Sequence, residues 1–282
     1  MIRKHSTVLL CRSAVPIKSI SRASHRNLDS IRSLSTTTLE EPPFYGSPRP
    51  PKTNENFRFP HQKIALAIHH ATTAFADPTR ADAVAGLGEI TGQVSLERIQ
   101  AQMMADETGR RILEDRPVVR KATIPYQELI DSVPEDPDVP LTFGQAYGKF
   151  LKSHGFDPDG RDPVKYIEDE TLAYIMLRYR QNHDFWHAIT GLPPTVLGEL
   201  GLKYLELFQT GLPIAALSST VGALRLDSKE RRILMTQYLP WALEASQSST
   251  PLMNVYYEEE FETPLADLRG RLNLKPAPQV DL

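Results

Sequence analysis

Residues 182–199 read Asn-His-Asp-Phe-Trp-His-Ala-Ile-Thr-Gly-Leu-Pro-Pro-Thr-Val-Leu-Gly-Glu, and this stretch decides how the chain folds. A helical pattern runs into it from about residue 168 and stops at Gly191, since a glycine followed by prolines favours the end of a helix. Thr195 begins a second helical pattern, which runs to about residue 209. The stretch therefore predicts two helices joined by a turn that reverses the chain.

Four side chains of this stretch have the chemistry of metal ligands. His183 and His187 are four residues apart, so they lie about 40° apart around a helix, and Asp184 lies about 60° from His187. The turn can bring Glu199 back against them. Two imidazoles and two carboxylates suit Zn²⁺ and, by ligand type, also Fe²⁺, Co²⁺ or Mn²⁺. We therefore predict a metal site with these ligands: His183, Asp184, His187 and Glu199.

Other interpretations of the same residues remain open. Two histidines four residues apart also occur as ordinary core residues, and it is the added carboxylates that favour a metal. The spacing resembles that of zinc metalloproteases, but the glutamate that acts as their base is absent between the histidines. A metal phosphohydrolase would need more His and Asp ligands on other helices, where the sequence offers only His61, His69 and His70.

The surroundings of the predicted site also allow two interpretations each. An apolar stripe indicates either core packing or the wall of a hydrophobic tunnel opening on the metal: Leu197, Leu200, Tyr204, Leu207 and Phe208. Residues 212–224 carry no charge and predict a buried helix or contact with a lipid chain or membrane surface. Arg178 and Arg180 could bind an anionic group, although a solvated helix face is the simpler interpretation of at least one. The acidic run at 258–262 is predicted to face solvent.

Helical patterns continue through the rest of the chain from His61. Further helices are predicted within 61–71, 94–113, 141–154, 213–224, 230–247 (kinked at Pro240), 252–261 and 265–272. No alternating strand pattern and no internal repeat is evident. The predicted fold class is all-α, with one multi-helix domain over residues 61–282, in which each helix buries one face.

Length and composition exclude several classes of protein. The chain has 282 residues, of which 40% are hydrophobic, and this allows a sizeable core. A single cysteine excludes a disulfide scaffold and a thiolate zinc finger. The chain has no run of 18 uncharged apolar residues, so the sequence predicts no transmembrane helix. The formal net charge of −3 argues against a nucleic-acid partner.

The N-terminal region differs in charge from the rest of the chain. Residues 1–38 carry seven basic residues and one acidic residue, a net of +6, so the remainder carries −9. A segment rich in Arg and Ser and poor in acid is typical of a mitochondrial transit peptide; a plain disordered basic tail is the alternative. This segment contains the only cysteine, Cys11. Residues 39–60 contain six prolines and predict an extended arm.

Three groups of residues resemble one known family. His183-Asp184-Phe185-Trp186-His187, eleven further residues and Glu199 match the HDxxH-x11-E signature of the ubiquinone (coenzyme Q) biosynthesis protein 4 family of mitochondria. Similarity to that family is also found just before the ligands, at 178–180, and near the C-terminus, at 256–265 and Leu268-Arg269. The likeness extends from about residue 61 to 274, and all four ligand positions match.

The resemblance implies a function as well as a fold. It implies an all-helical protein, peripheral to the matrix side of the mitochondrial inner membrane, with a metal usually given as zinc. It implies a lyase that removes the C1 carboxylate of a 4-hydroxy-3-methoxy-5-polyprenylbenzoate, giving the 2-methoxy-6-polyprenylphenol, alone or coupled to hydroxylation at C1. The implied partners are this lipid and the other enzymes of the coenzyme Q synthesis complex, which the protein would organise. A non-catalytic lipid-binding scaffold is the alternative, and the oligomeric state, a homo-oligomer included, stays open.

Overall fold

The regular elements of the protein are α-helices. The structure, a computed structural model, describes residues 60–76, 80–161 and 163–280. Its helices are α1 Pro60–Ala76, α2 Ala81–Thr91, α3 Gln93–Ala105, α4 Glu107–Asp115, α5 Tyr126–Asp131, α6 Phe143–His154, α7 Glu170–Thr190, α8 Val196–Thr210, α9 Pro213–Ala223, α10 Ser228–Ile233, α11 Leu239–Ser248 and α12 Leu265–Arg271. No β-strand forms within those three ranges. The all-α prediction is confirmed, whereas the predicted transit peptide and most of the Pro-rich arm lie outside the described residues.

Helix α7 lies at the centre of the fold and carries the first half of the predicted site. Its N-cap is Asp169, whose carboxylate accepts hydrogen bonds from the backbone N–H groups of Thr171 and Leu172 at 2.9 and 2.8 Å. It packs against α3 and α6. Of its 21 residues, 17 are buried, so the prediction that each helix buries one face is wrong here. Several polar side chains of α7 are buried as well: Arg178 pairs with Glu258, and Gln181 bonds to the backbone of Val119.

The turn after α7 returns the chain as predicted. Gly191 ends the helix with a φ of +79°, a conformation that favours glycine. The hydroxyl of Thr195 then accepts from the Gly198 N–H and begins α8. A Cβ on Gly198 would lie 2.0 Å from the Pro193 carbonyl oxygen. Glycine at position 198 therefore allows the turn to pack directly on the first turn of α8. Helix α8 packs in addition against α9 and α11.

The predicted helix 94–113 forms as two helices, α3 and α4. Asp106 separates them in an extended conformation, with φ −106° and ψ 142°. Its carboxylate accepts from the Gly109 N–H at 2.7 Å and begins α4. The prediction of one continuous helix is therefore wrong, because Asp106 acts as an N-cap inside a helical pattern.

The prediction of a helix over residues 252–261 is also wrong. Only two short 3₁₀ turns form there, Leu252–Asn254 and Tyr257–Glu259. The backbone bonds instead to side chains of the helices beneath it: the Leu252 N–H donates to Gln209, and the Val255 carbonyl accepts from Arg178. These contacts with distant residues replace the regular bonding of a helix.

The predicted helix 230–247 is interrupted close to its proline. A π turn, Leu234–Tyr238, separates α10 from α11 immediately before Pro240, which has no N–H to donate. None of the helices that the structure describes is long and apolar enough to span a membrane.

Candidate metal centre

Three of the four predicted ligands converge where α7 meets α8. His183 and His187 lie one turn apart on α7, and their Nε2 atoms are 3.2 Å apart. Glu199, in the first turn of α8, places Oε1 3.1 Å from Nε2 of His187 and Oε2 3.2 Å from Nε2 of His183. These three side chains could hold a metal ion. Both imidazoles are largely buried, whereas the Glu199 side chain is 36% exposed, so the group is reached from the Glu199 side.

The hydrogen-bond partners of the two Nδ1 atoms determine how the imidazoles of His183 and His187 are oriented. Nδ1 of His187 lies 2.9 Å from the Leu192 carbonyl oxygen, and Nδ1 of His183 lies 2.6 Å from Oε1 of Glu206. Both partners are acceptors, so each Nδ1 carries the hydrogen and each Nε2 presents a lone pair inward. In this neutral tautomer two nitrogen lone pairs and the Glu199 carboxylate face one another, an arrangement that a bound cation would stabilise.

The spacing of these atoms fits a small metal ion. Nitrogen and oxygen ligands of a tetrahedral zinc site lie roughly 3.3 Å from one another. The closest contacts within the group measure 3.1 to 3.2 Å, with each imidazole nearest to a different oxygen of Glu199. Two imidazoles and a carboxylate are also ligands for Fe²⁺, Co²⁺ and Mn²⁺, so the donor set leaves the metal's identity open.

The charges around the group favour a cation. With no ion bound, burial acts to raise the pKa of Glu199, but its contacts with His183 and His187 outweigh burial and hold that pKa well below its usual range. Burial and the Lys203 ammonium act to lower the pKa of His183, but Glu206 and Glu199 outweigh them and raise it. The two carboxylates therefore stabilise positive charge at His183.

Glu206 is a site residue that the sequence analysis missed. Its side chain is fully buried, and although burial acts to raise its pKa, Lys203 and His183 lower the pKa to about 2. The signal was present in the spacing: Glu206 follows Glu199 by seven residues, which is two turns along the same face of α8. It was missed because it lies among the apolar residues of α8, which the sequence analysis interpreted as a core stripe or a tunnel wall.

Asp184 lies beside the group and pairs with another residue. Its carboxylate forms an ion pair with Arg161, from the loop before α7. The Asp184 side chain is 8% exposed and that of Arg161 35% exposed. The three-residue group does not include Asp184, so its role as a fourth ligand stays a prediction.

Aromatic rings cover one side of the group. Phe150, on α6, stacks on the His187 ring with centroids 5.0 Å apart and planes 14° from parallel. Phe156 contacts Phe150 at 5.4 Å and is 39% exposed. These rings form a wall from the buried imidazole to the surface.

The apolar stripe of α8 divides between core and surface. Leu197 and Leu200 are buried in the core, as the simpler interpretation predicted, whereas Phe208 is 38% exposed. A cavity of about 250 Å³ lies elsewhere, among residues of α1, α2, α3 and α7, and none of the three converging ligands lines it. The predicted hydrophobic tunnel stays a prediction.

The two arginines before the ligands serve the fold. Arg178 has no exposed surface and binds the Glu258 carboxylate through both terminal nitrogens. Arg180 pairs with Glu89 at 2.7 Å. A solvated face, predicted for at least one of the two arginines, is found for neither, and the predicted solvent exposure is wrong for Glu258. Each charge is instead buried against an opposite charge.

Together, the fold and the group of ligands define a class: an all-α protein with a His-His-Glu group on two consecutive helices that could hold a metal ion. A crystal structure of a Nostoc punctiforme protein, described as a candidate ubiquinone biosynthesis protein, shares this fold with a TM-score of 0.57 at 19% identity. The similarity covers 74% of this chain and 95% of that one.

The family follows from the sequence comparisons. The family model for "Coenzyme Q (ubiquinone) biosynthesis protein Coq4" matches residues 57–278. The mitochondrial ubiquinone biosynthesis protein COQ4 homolog of Drosophila ananassae is 43% identical over 76% of this chain and 79% of its own length. COQ4 homolog 1 of Culex quinquefasciatus is 36% identical over 95% and 98%. The chain belongs to the Coq4 family of ubiquinone biosynthesis proteins, and the predicted family is confirmed.

Proposed function

We propose that this protein is a metal-dependent lyase of ubiquinone synthesis in mitochondria. The proposed reaction is removal of the C1 carboxylate from a 4-hydroxy-3-methoxy-5-polyprenylbenzoate. The observation that carries the proposal is the convergence of His183, His187 and Glu199, whose ligand atoms lie within 4.8 Å of one another. The relatives' names support the pathway and the compartment, since they are called mitochondrial ubiquinone biosynthesis proteins.

The chemistry of the reaction sets what a site must supply. The bond between C1 and the carboxylate carbon breaks, CO₂ leaves, and a proton from water replaces it at C1, giving the phenol. The para hydroxyl stabilises the charge that develops on the ring. A bound Lewis-acidic metal would hold a substrate oxygen and offset the lost solvation. Hydroxylation at C1 would in addition need O₂ and a redox-active metal, which zinc is not.

The protein's own residues have separable parts in this proposal. His183, His187 and Glu199 would hold the metal, and Asp184 would add a fourth ligand after releasing Arg161. Arg161 already binds one carboxylate with a partly exposed side chain, so it is a candidate partner for the substrate carboxylate. The wall of Phe150 and Phe156 offers flat apolar surface for an aromatic ring.

Two measurements test the metal and the reaction together. The purified chain is analysed for bound metal, then supplied with a short-tailed prenyl methoxy-hydroxybenzoate and Zn²⁺, Co²⁺, Fe²⁺ or Mn²⁺ in turn. Loss of the carboxylate is followed by mass spectrometry, which also separates the phenol from a C1-hydroxylated product. We expect His187→Ala and Glu199→Gln to lose both bound metal and turnover.

His69→Ala provides the matched control, because it removes an exposed imidazole that lies outside the group. It should keep both metal and turnover. Full turnover by His187→Ala would contradict the metal's role. A wild-type protein that binds metal but never turns over the benzoate would favour the scaffold instead.

We also propose that the protein lies against the matrix face of the inner membrane, among the other enzymes of the pathway. Helix α1 exposes Ile64 and Ile68 by 60% and 58%, and α9 exposes Leu217 by 38%. Helix α2 packs against both α1 and α9, so the helices that carry these apolar side chains share one packing partner. Such exposed apolar residues suit a lipid surface.

Sedimentation with vesicles tests the membrane contact. Ile64→Ser together with Ile68→Ser should reduce binding to vesicles of phosphatidylcholine and cardiolipin. Met235→Ser, at an exposed apolar residue of the π turn, is the control. Equal loss in both variants would argue against a specific face.

A further inference from the structure

A buried cluster lies behind His183, on the side away from the metal group. Glu206 places Oε1 2.6 Å from Nδ1 of His183. Lys203 donates to both oxygens of Glu206, at 3.1 and 2.8 Å, and the Tyr179 hydroxyl donates to Oε2. The Glu206 side chain has no exposed surface, and that of Lys203 is 21% exposed. One buried carboxylate therefore has three surrounding donors.

The donors settle the direction of the hydrogen bond to the imidazole. A carboxylate surrounded by an ammonium and a hydroxyl accepts, so the hydrogen between Glu206 and His183 belongs to Nδ1. Nζ of Lys203 also lies 3.3 Å from Nδ1 of His183. The Lys203 ammonium and the Nδ1–H of His183 are both donors, so they do not bond to each other. They lie close together because both donate to Glu206.

The two imidazoles of the metal group therefore have different supports. Nδ1 of His187 donates to the neutral carbonyl of Leu192, whereas Nδ1 of His183 donates to a full negative charge. A carboxylate behind an imidazole fixes its tautomer and orientation and makes the opposite nitrogen a stronger donor to a metal. Lys203 and Tyr179 hold that carboxylate in place from α8 and α7.

We propose that Glu206, held by Lys203 and Tyr179, is a positioning residue that fixes His183 with its hydrogen on Nδ1 and its Nε2 lone pair at the metal position. The inference rests on the metal site of the proposed function and does not depend on the reaction. Glu206 does not touch the metal position itself and acts through His183.

Metal affinity of the full chain tests the proposal without any turnover. Competition with a chromogenic chelator gives the Kd for Zn²⁺ and Co²⁺. We expect Glu206→Gln to weaken binding about tenfold and Glu206→Ala up to about 100-fold. The visible absorption of bound Co²⁺ should also change in Glu206→Gln, since it reports the ligand field at the metal.

Glu89→Gln is the matched control. Glu89 is another buried carboxylate, 2% exposed, that accepts from Arg180 and from the backbone N–H groups of Lys165 and Tyr166. Its neutralisation should reduce thermal stability and leave the Kd and the Co²⁺ spectrum unchanged. Wild-type affinity and spectrum in a folded Glu206→Gln would overturn the proposal, because a purely structural ion pair predicts that result.

A measurement on the unmutated chain covers the case in which the Glu206 variants fail to fold. In the Zn²⁺-loaded chain with ¹⁵N-labelled histidine, the His183 ring should carry its hydrogen on Nδ1, with the signal assigned by its loss in His183→Ala. A hydrogen on Nε2 would overturn the proposal. Absence of metal binding by the wild-type chain would instead refute the metal site of the proposed function, so the two failures are distinguishable.

Discussion

Arg178 shows what a single buried charge does in this fold. Its guanidinium has no exposed surface, and its partners are Glu258 and the Val255 carbonyl. We expect Arg178→Leu to lower the free energy of unfolding by about 3–5 kcal/mol, because the variant leaves Glu258 without its opposite charge. Urea denaturation measures the change.

The double variant Arg178→Leu with Glu258→Leu is the control. Removing both charges should recover much of the lost stability. Strictly additive losses would show that the two residues act independently.

Substitutions of Asp184 and Arg161 test whether Asp184 is a fourth metal ligand. If Asp184 joins the metal, Asp184→Asn should weaken Zn²⁺ binding by about tenfold or more, whereas Arg161→Ala should not weaken it, because it only frees the carboxylate. Chelator competition gives both constants. Unchanged binding in Asp184→Asn would leave a three-residue site and assign Asp184 to the ion pair alone.

The sequence predicted the residues whose spacing is local and left out those whose partners are distant. His183, His187 and Glu199 follow from helix geometry and one turn. Arg161 approaches from 23 residues away, and nothing in the sequence indicates that loop's path. Glu206 had a local signal, but a lone glutamate among apolar residues is common on an ordinary amphipathic helix.

At the scale of the element, Gly198 controls how closely the turn packs on α8. We expect Gly198→Ala to reduce stability by about 1–3 kcal/mol, because its Cβ would meet the Pro193 carbonyl oxygen. It should also reduce metal binding, since Glu199 is the next residue. Thermal unfolding and chelator competition measure the two effects.

Gly270, in α12, is the control for this substitution. A Cβ there meets nothing within 4 Å. Gly270→Ala should be neutral or stabilise the protein by up to about 1 kcal/mol. Equal effects at the two glycines would contradict the close approach at Gly198.

Asp106 sets the boundary between α3 and α4. Asp106→Ala should cost about 1 kcal/mol, because the Gly109 N–H loses its acceptor. Asp106→Asn, which keeps an acceptor oxygen, should lose much less in urea denaturation. A larger loss for Asn than for Ala would contradict the capping role.

The elements were predictable where glycine and proline mark the ends of helices and less so elsewhere. Gly191 ends α7 as the sequence predicts, and Gly155 and Gly211 end α6 and α8 in the same left-handed conformation. The break at Asp106 was missed because aspartate is tolerated inside a helix and caps one only in the right backbone conformation. The 3₁₀ turns near Leu252 depend on side chains of α7 and α8 that no local pattern reveals.

For the whole molecule, metal should act as a stabilising ligand. A metal that binds the folded state at a concentration 100 times its Kd adds about 2.7 kcal/mol to the free energy of unfolding. For a chain of this size, that raises Tm by roughly 5–10 °C. We expect a chelator to reverse the rise in the wild type, as scanning calorimetry would show.

His187→Ala separates this effect from non-specific metal binding. Its Tm should not depend on added Zn²⁺ or chelator. A rise equal to that of the wild type would place the stabilising ion elsewhere on the protein.

The closeness of the ligands in the chain has a consequence for folding kinetics. His183 and Glu199 lie within 17 residues, whereas the ion pair of Arg178 and Glu258 joins residues 80 apart. Closing a short loop costs less entropy than closing a long one, so the helix hairpin can form before the distant segment docks. We therefore expect the helix hairpin that carries His183, His187 and Glu199 to form early, with the C-terminal segment closing over α7 afterwards.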